Sequence, residues 1–282
     1  TPTRELAAQI LEQVEALGGH TGLRGAAIYG GVGMGPQEAA LRRGVPIVVA
    51  TPGRLLDHLK EPYADFSAVE CLVLDEADRM LDMGFLPDIR RILRHVPQER
   101  QTLFFSATMP SEIAKLSREM LRNPVTINVE RQAAPAQGIE QALYPVPEEL
   151  KAQLFLKLLQ RGEMGEAVVF TRTKNRANRL YEFPTRHGIS AERIHGNRSQ
   201  NQRIEALAAL KAGTIQVLVA TDVAARGIDI EALSHVVNFD VPGQAEDYIH
   251  RVGRTGRAER TGDAFTFVAP EEEGEVRNIE RA

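Results

Sequence analysis

Three carboxylates follow directly after an apolar run in the first half of the chain, and their spacing suits phosphate chemistry. The run ends at Leu74 and leads into Asp75, Glu76 and Asp78. Open α/β sheets place their ligands at the carboxyl ends of their strands, so a strand ending here would present these side chains to a ligand. One carboxylate can hold a Mg²⁺ ion that bridges nucleotide phosphates, and its neighbour can orient or deprotonate the attacking water. A solvated acidic turn is the ordinary alternative for a bare Asp-Glu pair.

A basic cluster near the carboxyl end offers the opposite charge. Arg251, Arg254 and Arg257 recur every three residues after His250, and helical spacing would place them on neighbouring turns of one face. The glycines between them would let a phosphate approach closely. Because phosphoryl transfer depends on positioning and charge stabilisation, guanidinium groups supplied by a second domain can act as a switch. An exposed basic helix with surface ion pairs is the alternative.

The hydrophobic pattern of the first half predicts an α/β fold. Short runs rich in Val and Ile alternate with amphipathic stretches at helical spacing, which is typical of parallel sheets flanked by helices. Strands are predicted at residues 26–29, 46–50, 69–74, 102–106 and 126–129. Helices are predicted at residues 4–17, capped by Thr3, and at residues 112–121.

The pattern stops at residues 131–138, whose Ala, Pro, Gln and Gly content is typical of a connector. Beyond it, strands are predicted at residues 166–171, 191–194, 216–220, 235–239 and 263–268. A helix is predicted at residues 200–212, started by a capping box of Ser199 and Gln202. The sequence therefore predicts two tandem domains, at residues 1–130 and 139–282, with a linker at 131–138.

Composition allows a folded two-domain protein and excludes several classes. The chain has 282 residues, 43% of them hydrophobic, and can bury a sizeable core. No apolar run approaches the roughly 20 residues of a membrane span, so we expect no membrane partner and a cytoplasmic location. The net charge of −4 argues that any nucleic acid binds in a local groove. A single cysteine, Cys71, excludes an internal disulfide, and we expect it to be buried in a strand.

Short motifs are spread along the whole chain. They are residues 2–7 (PTRELA), 30–31 (GG), 51–54 (TPGR), 75–78 (DEAD), 106–108 (SAT), 169–171 (VFT), 195–196 (HG) with Gln200 and Arg203, 221–229 (TDVAARGID) and 250–257 (HRVGRTGR). Together they resemble the signatures of the DEAD-box RNA helicases of superfamily 2. The resemblance implies two tandem RecA-like domains, each a mostly parallel sheet flanked by helices. It also implies an enzyme that couples ATP hydrolysis to RNA unwinding or remodelling.

The resemblance implies roles for the acidic motif, with ATP and Mg²⁺ as cofactors. Asp75 would bind Mg²⁺ through water, and Glu76 would activate the hydrolytic water. Asp78 would link to Ser106 and Thr108, which would couple the nucleotide site to RNA. Hydroxyls suit that coupling because they both donate and accept, although they also cap ordinary turns.

The resemblance assigns further nucleotide-site residues to the second half. Arg254 and Arg257 would reach into the nucleotide site as arginine fingers. Gly227 would lie at the nucleotide, and Asp229 would contact its ribose. His250 would relay between the domains; a metal ligand is disfavoured because no second His or Cys lies at metal spacing beside it.

The resemblance also implies RNA contacts made by backbone donors, hydroxyls and basic side chains. They are Thr3, Arg4, Gly31, Thr51, Pro52, Gly53, Arg54, Gln200, Arg203, Thr221, Arg226 and Gly227. Such contacts grip the sugar-phosphate chain, so no sequence preference is expected. The glycine cluster at residues 30–35 lacks both the Gly-x-Gly-x-x-Gly register and a Gly-Lys-Ser/Thr, so we reject a phosphate loop there. A turn before a helix near Pro36 and an RNA contact are compatible.

The sequence contains neither a Gly-x-x-x-x-Gly-Lys-Ser/Thr loop nor an adenine-reading Gln segment. The family carries that loop shortly upstream of the segment matching residues 2–7, with the Gln segment before it. Without that loop we expect the chain to bind and hydrolyse ATP poorly or not at all. It is then either an N-terminally truncated piece of an enzyme, which the retained Glu76, Arg254 and Arg257 favour, or a non-catalytic RNA-binding scaffold. A DNA-directed translocase is disfavoured because residues 2–7 and 51–54 resemble the RNA branch.

Two finer expectations concern the second half. Residues 171–174 and 194–200 resemble a bacterial RhlE-like branch of the family. Pro184 should end the helix that follows Lys174 at about Phe183, since proline lacks the amide that the next helical hydrogen bond needs.

Overall fold

The structure is a computed structural model that describes residues 1–128, 138–222, 233–256 and 261–281. The chain divides into two compact units, Thr1–Asn128 and Val129–Ala282, which we call unit 1 and unit 2. The predicted linker lies outside the described residues except for Gly138. Its boundaries, and those of the two predicted domains, therefore stay a prediction.

Unit 1 alternates short strands with helices, as the sequence pattern predicts. Its elements are α1 (Arg4–Gly18), β1 (Gly25–Ile28), α2 (Gly35–Arg42), β2 (Ile47–Ala50), α3 (Pro52–His58), β3 (Cys71–Leu74), α4 (Ala77–Asp82), α5 (Leu86–Ile92), a 3₁₀ turn (Leu93–His95), β4 (Gln101–Phe104) and α6 (Ser111–Met120). The predicted cap of α1 is confirmed, because the Thr3 hydroxyl accepts a hydrogen bond from the Leu6 amide at 3.3 Å.

The strands of unit 1 form two parallel pairs. β1 pairs with β2, and β3 pairs with β4. Each pair has its own core cluster, around Ile28 in the first and around Met80 and Leu116 in the second. Because paired parallel strands end at the same edge, the residues after Ile28 meet those after Ala50, and the residues after Leu74 meet those after Phe104.

The part of unit 2 that the structure describes contains longer strands than unit 1 and regular helices. Its elements are β5 (Ile139–Pro145), a 3₁₀ turn (Glu148–Leu150), α7 (Lys151–Gln160), β6 (Ala167–Thr171), α8 (Lys174–Arg186), β7 (Ala191–Ile194), α9 (Gln200–Lys211), β8 (Val217–Thr221), β9 (His235–Asn238), α10 (Ala245–Val252), β10 (Gly262–Val268), a 3₁₀ turn (Pro270–Glu272) and α11 (Glu273–Arg281). The capping box of Ser199 and Gln202 is confirmed at the start of α9. None of the helices in the described ranges is both long and apolar enough to cross a membrane.

The described strands of unit 2 form one six-stranded parallel sheet in the order β5-β10-β9-β6-β8-β7. Every residue of β6, β8 and β9 is buried. Val169 packs into a cluster on one face and Val168 into a cluster on the other. Strands covered on both faces read as continuous apolar runs, which is why the sequence predicts them. The edge strand β5 was not predicted because its exposed residues and Pro145 interrupt the apolar run that predicts the other strands.

Cys71 is an exposed residue of β3, so the prediction that it is buried was wrong. Side chains alternate between the two faces of a strand. In β3 this alternation turns Cys71 and Val73 outward, and Val73 is 48% exposed. An apolar run alone does not tell which of its faces the rest of the protein covers.

Pro184 does not end its helix at Phe183, and that prediction was also wrong. Helix α8 continues through Pro184 to Arg186. The proline lies in the last turn, so a single helical hydrogen bond is lost, and the Thr185 hydroxyl donates to the Tyr181 carbonyl at 2.7 Å. Pro184 is buried, and its packing offsets the missing bond.

The strand predicted at residues 126–129 is absent from the described part of that range, residues 126–128. Val125 is 88% exposed and Ile127 is 82% exposed. The alternation of apolar residues is present there, but within unit 1 it lies against no partner strand, and a strand needs one for its hydrogen bonds.

Candidate functional site

The carboxylates of the acidic motif lie where β3 ends. Asp75 follows the buried Leu74, and its Oδ1 accepts a hydrogen bond from the Glu76 amide at 2.9 Å. The Ala77 amide donates to the Phe105 carbonyl at 3.1 Å, which ties this turn to the end of β4. The turn therefore presents two adjacent carboxylates at the edge where ligands of α/β sheets bind.

Glu76 holds a strained backbone conformation. Its φ of 53° and ψ of 50° lie in the left-handed region, which costs a residue other than glycine about 1–3 kcal/mol. Nη1 of Arg79 donates to both Glu76 carboxylate oxygens at 2.8 Å. Arg79 is 7% exposed, so the pair fixes the carboxylate in place. Strain of this kind clusters at sites where geometry serves function.

The surroundings of Asp75 disfavour a negative charge on its carboxyl. Burial raises the pKa of its carboxyl; the hydrogen bond from the Glu76 amide opposes the rise, and the negative charges of Glu76 and Asp78 add to it. The positive charge of the Thr1 ammonium also opposes the rise, and a further cation beside Asp75 would favour the ionised carboxyl. The described residues contain no group of three or more His, Cys, Asp or Glu placed to hold a metal.

Asp78 joins β3 to the loop after β4. Its Oδ2 accepts from the Thr108 amide at 2.7 Å and from the Thr108 hydroxyl at 2.8 Å. The Asp78 amide donates to Ser106 Oγ at 3.2 Å, and that hydroxyl donates to the Thr108 carbonyl at 2.6 Å. The structure thus brings together the three residues that the resemblance groups. Burial opposes ionisation of Asp78, but these hydrogen bonds outweigh it and lower its pKa.

We expect Thr108→Val to lower the free energy of unfolding of unit 1 by about 1–3 kcal/mol at neutral pH, because it removes a hydrogen bond to a buried carboxylate. A lowered pKa stabilises the fold above the unfolded-state pKa of about 4, and that stability is lost as the pH falls through the folded-state pKa. The variant should therefore lose less stability on acidification than the wild type. Denaturant unfolding at pH 7 and pH 3 measures both effects. Thr102→Val on β4 is the matched control, and equal losses in the two variants would contradict the expectation.

The residues predicted to contact RNA in unit 1 meet at the end of the β1–β2 pair. Arg4 lies against the glycines, where a Cβ added to Gly31 would fall 2.1 Å from Nη1 of Arg4, and Gly31 has φ +83°. Nη1 of Arg54 donates to the Val32 carbonyl at 3.1 Å. Thr3 and Thr51 are 7% and 8% exposed, so their side chains serve the fold.

Two more predicted RNA-contact residues of unit 1 lie in the first turn of α3. Pro52 is buried as its first residue, and Gly53 is exposed. The surface of this turn therefore offers backbone amides of a helix N-terminus and the Arg54 side chain.

In unit 2, predicted contact residues surround the ends of β7 and β8. Gln200 begins α9 and is 2% exposed, Arg203 lies one turn later and is partly buried, and Thr221 is the buried last residue of β8. His195 follows β7; its burial, and then the charges of Arg193, Arg198, Lys174 and Arg203, lower its pKa. Arg226, Gly227 and Asp229 lie outside the described residues.

The arginine cluster does not form one helical face, so that prediction was wrong. Helix α10 ends at Val252, and Gly253 caps it. His250 lies within the helix, whereas the partly buried Arg254 lies in the turn beyond it, where its Nε donates to the His250 carbonyl at 3.3 Å. Arg257 lies outside the described residues. A glycine after a periodic run ends helices more often than it continues them, and that signal was present in the sequence.

Arg251 points into unit 2 rather than toward solvent. It is 3% exposed, and its Nε and Nη2 donate to Asp222 at 2.6 and 2.7 Å. Its Nη1 donates to Asn238 Oδ1 at 3.1 Å and to the Asp240 carbonyl at 2.7 Å. Arg251 therefore joins the ends of β8 and β9.

Sequence reasoning missed several residues that position the site. Arg79 lies three residues after Glu76 on α4, and opposite charges at that spacing are a recognisable helix pair. Asp222 and Asp240 meet Arg251 only through the tertiary fold, so no local signal in the sequence identifies them.

Two protein-family models match the chain. One, described as DEAD/DEAH box helicase, matches residues 1–116, and the other, described as helicase conserved C-terminal domain, matches residues 150–259. Curated relatives include the DEAD-box ATP-dependent RNA helicases CshA of Geobacillus kaustophilus, 45% identical over 280 residues, and of Bacillus licheniformis, 46% identical over 280 residues. The alignments cover 99% of this chain but 60% and 58% of those relatives.

Solved structures of similar proteins cover the chain from end to end. Saccharomyces cerevisiae Dbp5 bound to RNA and ADP BeF3 is 30% identical with a TM-score of 0.87, and the match covers 99% of this chain and 73% of that one. A DEAD box protein from the hyperthermophile Methanococcus jannaschii is 40% identical with a TM-score of 0.54, covering 100% of this chain and 76% of that one. The α/β fold of two RecA-like units is therefore shared with known helicases.

Proposed function

The chain belongs to the DEAD-box helicase family, and from this premise we propose that it forms the two-unit core of an ATP-dependent RNA helicase. The observation that carries the proposal is the arrangement at the end of β3, where Asp75 and Glu76 adjoin the bonded group of Asp78, Ser106 and Thr108. RNA and nucleotide as ligands are supported by the Dbp5 structure, which contains RNA and ADP BeF3. The activity is local unwinding or remodelling of RNA driven by ATP hydrolysis.

Unit 1 supplies the carboxylates of the reaction. When bound, ATP with its Mg²⁺ supplies the phosphoryl group that water attacks. Asp75 fits the metal because its carboxylate is partly buried beside the negative charges of Glu76 and Asp78, and proteins usually hold Mg²⁺ by one or two carboxylates. Glu76, held by Arg79, orients the attacking water and accepts its proton. Asp78, Ser106 and Thr108 couple this edge to RNA.

Unit 2 supplies positive charge to the same phosphate. Arg254 and Arg257 stabilise the charge that develops on the transferred group. Gly227 and Asp229 bind the nucleotide, with Asp229 at the ribose, and His250 relays between the units. Arg251 supports this arrangement from within, since it anchors Asp222 at the start of the segment that leads to Gly227.

The fit of the chain to ATP is incomplete. Its sequence has no phosphate-binding loop, and a loop of backbone amides with a lysine carries most of the contacts to the β- and γ-phosphates. We therefore propose that the 282-residue chain alone binds ATP weakly. Catalysis is best tested in a chimera that joins the loop segment of a DEAD-box helicase before Thr1, which we call the loop chimera.

RNA binding is proposed along both units. In unit 1 it involves Thr3 and Arg4, Gly31, and Thr51 to Arg54, the buried threonines contributing backbone groups. In unit 2 it involves Gln200, Arg203, Thr221, Arg226 and Gly227. Because these contacts read the sugar-phosphate chain, the core itself has no sequence preference. A cytoplasmic location and a RhlE-like branch stay predictions from the sequence, and the bacterial relatives matched here carry the name CshA.

Binding of a fluorescent single-stranded RNA to the chain, measured by anisotropy over a salt series, tests the RNA interface. We expect binding that weakens with salt, and Arg4→Ala and Arg54→Ala should each weaken it and reduce the salt slope by about one. Arg24→Ala is the matched control: the same charge is exposed just before β1, at the opposite end of the strand. Tighter binding of DNA of the same sequence, or equal losses in all three variants, would contradict the proposal.

A further inference from the structure

Two buried polar side chains of unit 1, Gln37 and His58, take no part in the chemistry above. Nδ1 of His58 lies 2.9 Å from the Tyr63 hydroxyl, and its Nε2 lies 3.2 Å from Oε1 of Gln37. Nε2 of Gln37 donates to the Tyr29 carbonyl at 3.0 Å. His58 is 0% exposed and Gln37 is 6% exposed, so these groups satisfy one another rather than water. We call the four residues the Gln37–His58 relay.

The Tyr29 carbonyl fixes the direction of the hydrogen bonds that Gln37 makes. A carbonyl oxygen only accepts, so Gln37 points its amide nitrogen at Tyr29 and its amide oxygen at His58. His58 therefore carries a proton on Nε2, and the Tyr63 hydroxyl can pair with its Nδ1. Burial, and then the charge of Arg54, lower the pKa of His58.

The relay joins two segments that the proposed function assigns to RNA. Tyr29 directly precedes Gly30 and Gly31, and His58 is the last residue of α3, whose first turn contains Arg54. The ladder between β1 and β2 ends at Ile28 and Ala50. Side chains must therefore fix the loop beyond Ile28, because no strand partner does.

Contacts from both sides hold the same loop. Arg4 covers Gly31, Arg54 donates to the Val32 carbonyl, and Gln37 donates to the Tyr29 carbonyl. Arg4 and Arg54 can each leave their loop contact and bind a phosphate instead, because both side chains are only partly buried. The Gln37 side chain is 6% exposed, so a phosphate has less access to its contact with Tyr29.

A satisfied buried polar group adds little net stability over an apolar group of the same shape, so the relay is better explained by geometry than by stability. We propose that Gln37 and His58 are positioning residues for RNA binding, which set the Gly30–Gly31 loop against α3 so that both meet the RNA backbone together. The inference rests on the proposed function. An apolar pair could fill the same space, but it could not bond the Tyr29 carbonyl.

Two variants separate positioning from stability. Gln37→Met removes both relay bonds of Gln37 and leaves His58 without an acceptor, so it should lower the thermal midpoint and weaken binding of the fluorescent RNA about tenfold. In the double variant Gln37→Met/His58→Phe no buried imidazole is left unpaired, so the thermal midpoint should recover. RNA affinity should stay about tenfold below the wild type, because the tether to Tyr29 is still missing.

Recovery of RNA affinity together with the midpoint in the double variant would overturn the inference, as would wild-type affinity in Gln37→Met. Ile113→Val, in the separate core cluster around Leu116, controls for destabilisation alone and should leave RNA affinity unchanged. An affinity loss in this control equal to that of Gln37→Met would also overturn the inference. Arg4→Ala and Arg54→Ala separate a failure of the positioning inference from a failure of the proposed function. If both weaken RNA binding and Gln37→Met does not, only the positioning inference fails. If none of the three weakens binding, the proposed function fails at this interface.

Discussion

Glu76→Gln is expected to abolish most RNA-stimulated ATP hydrolysis by the loop chimera, with a fall of about 10²–10⁴-fold in the rate of the chemical step. Glutamine keeps the size of the side chain and can still accept from Arg79, but it cannot accept a proton from the attacking water. The left-handed backbone at Glu76 and the two hydrogen bonds from Nη1 of Arg79 hold that carboxylate in one position. Single-turnover hydrolysis with saturating RNA measures the step directly.

Asp82→Asn is the matched control for this variant. Asp82 ends the same helix α4 and is exposed, so the substitution removes an equal charge without touching the turn after β3. The control should hydrolyse ATP at the rate of the parent chimera, and the Glu76→Gln variant should still bind nucleotide and RNA. A Glu76→Gln chimera with parent activity would refute the catalytic assignment. RNA binding that nucleotide never alters in the chimera would favour a non-catalytic RNA-binding scaffold.

Arg254→Ala should lower hydrolysis by about 10³–10⁵-fold in the loop chimera, the usual effect of removing an arginine finger. Arg254 suits such a role because it lies in the turn after α10 and is only partly buried. Arg251 does not suit it, since its guanidinium is already bonded to Asp222, Asn238 and Asp240. RNA affinity without nucleotide should be unchanged.

Arg277→Ala serves as the control for Arg254→Ala. Arg277 lies on α11 with 66% of its side chain exposed and pairs with Glu273 one turn away. Pairs of this kind contribute little to stability, so hydrolysis should match the parent. Equal rates of ATP hydrolysis in Arg254→Ala and Arg277→Ala would show that Arg254 takes no part in the reaction.

Local signals in the sequence were enough for most of the secondary structure. The Thr3 cap of α1 and the Ser199–Gln202 box of α9 were predicted because capping depends on neighbours within one turn. The buried strands of unit 2 were predicted because both of their faces are apolar. Cys71 and residues 126–128 show the limit, since an apolar run does not reveal which face is covered.

The sequence predicted which residue types form the site, but it predicted little of the geometry that positions them. The resemblance grouped Asp78 with Ser106 and Thr108, and the structure places them in hydrogen-bond contact. The strain at Glu76 and the burial of Arg251 depend on residues up to 29 positions away, which no local pattern encodes. The Gln37–His58 relay was not predicted for the same reason, because Gln37 and His58 lie on different helices, 21 positions apart.

We propose that the carboxylates of unit 1 and Arg254 of unit 2 act on one phosphoryl transfer. The double variant Glu76→Gln/Arg254→Ala in the loop chimera tests it most directly, by single-turnover ATP hydrolysis beside the two single variants. Residues that act as a unit in one transition state show strongly non-additive losses, so we expect the double variant to be about as slow as the slower single variant. Losses that multiply would contradict this coupling, since the two residues would then contribute independently.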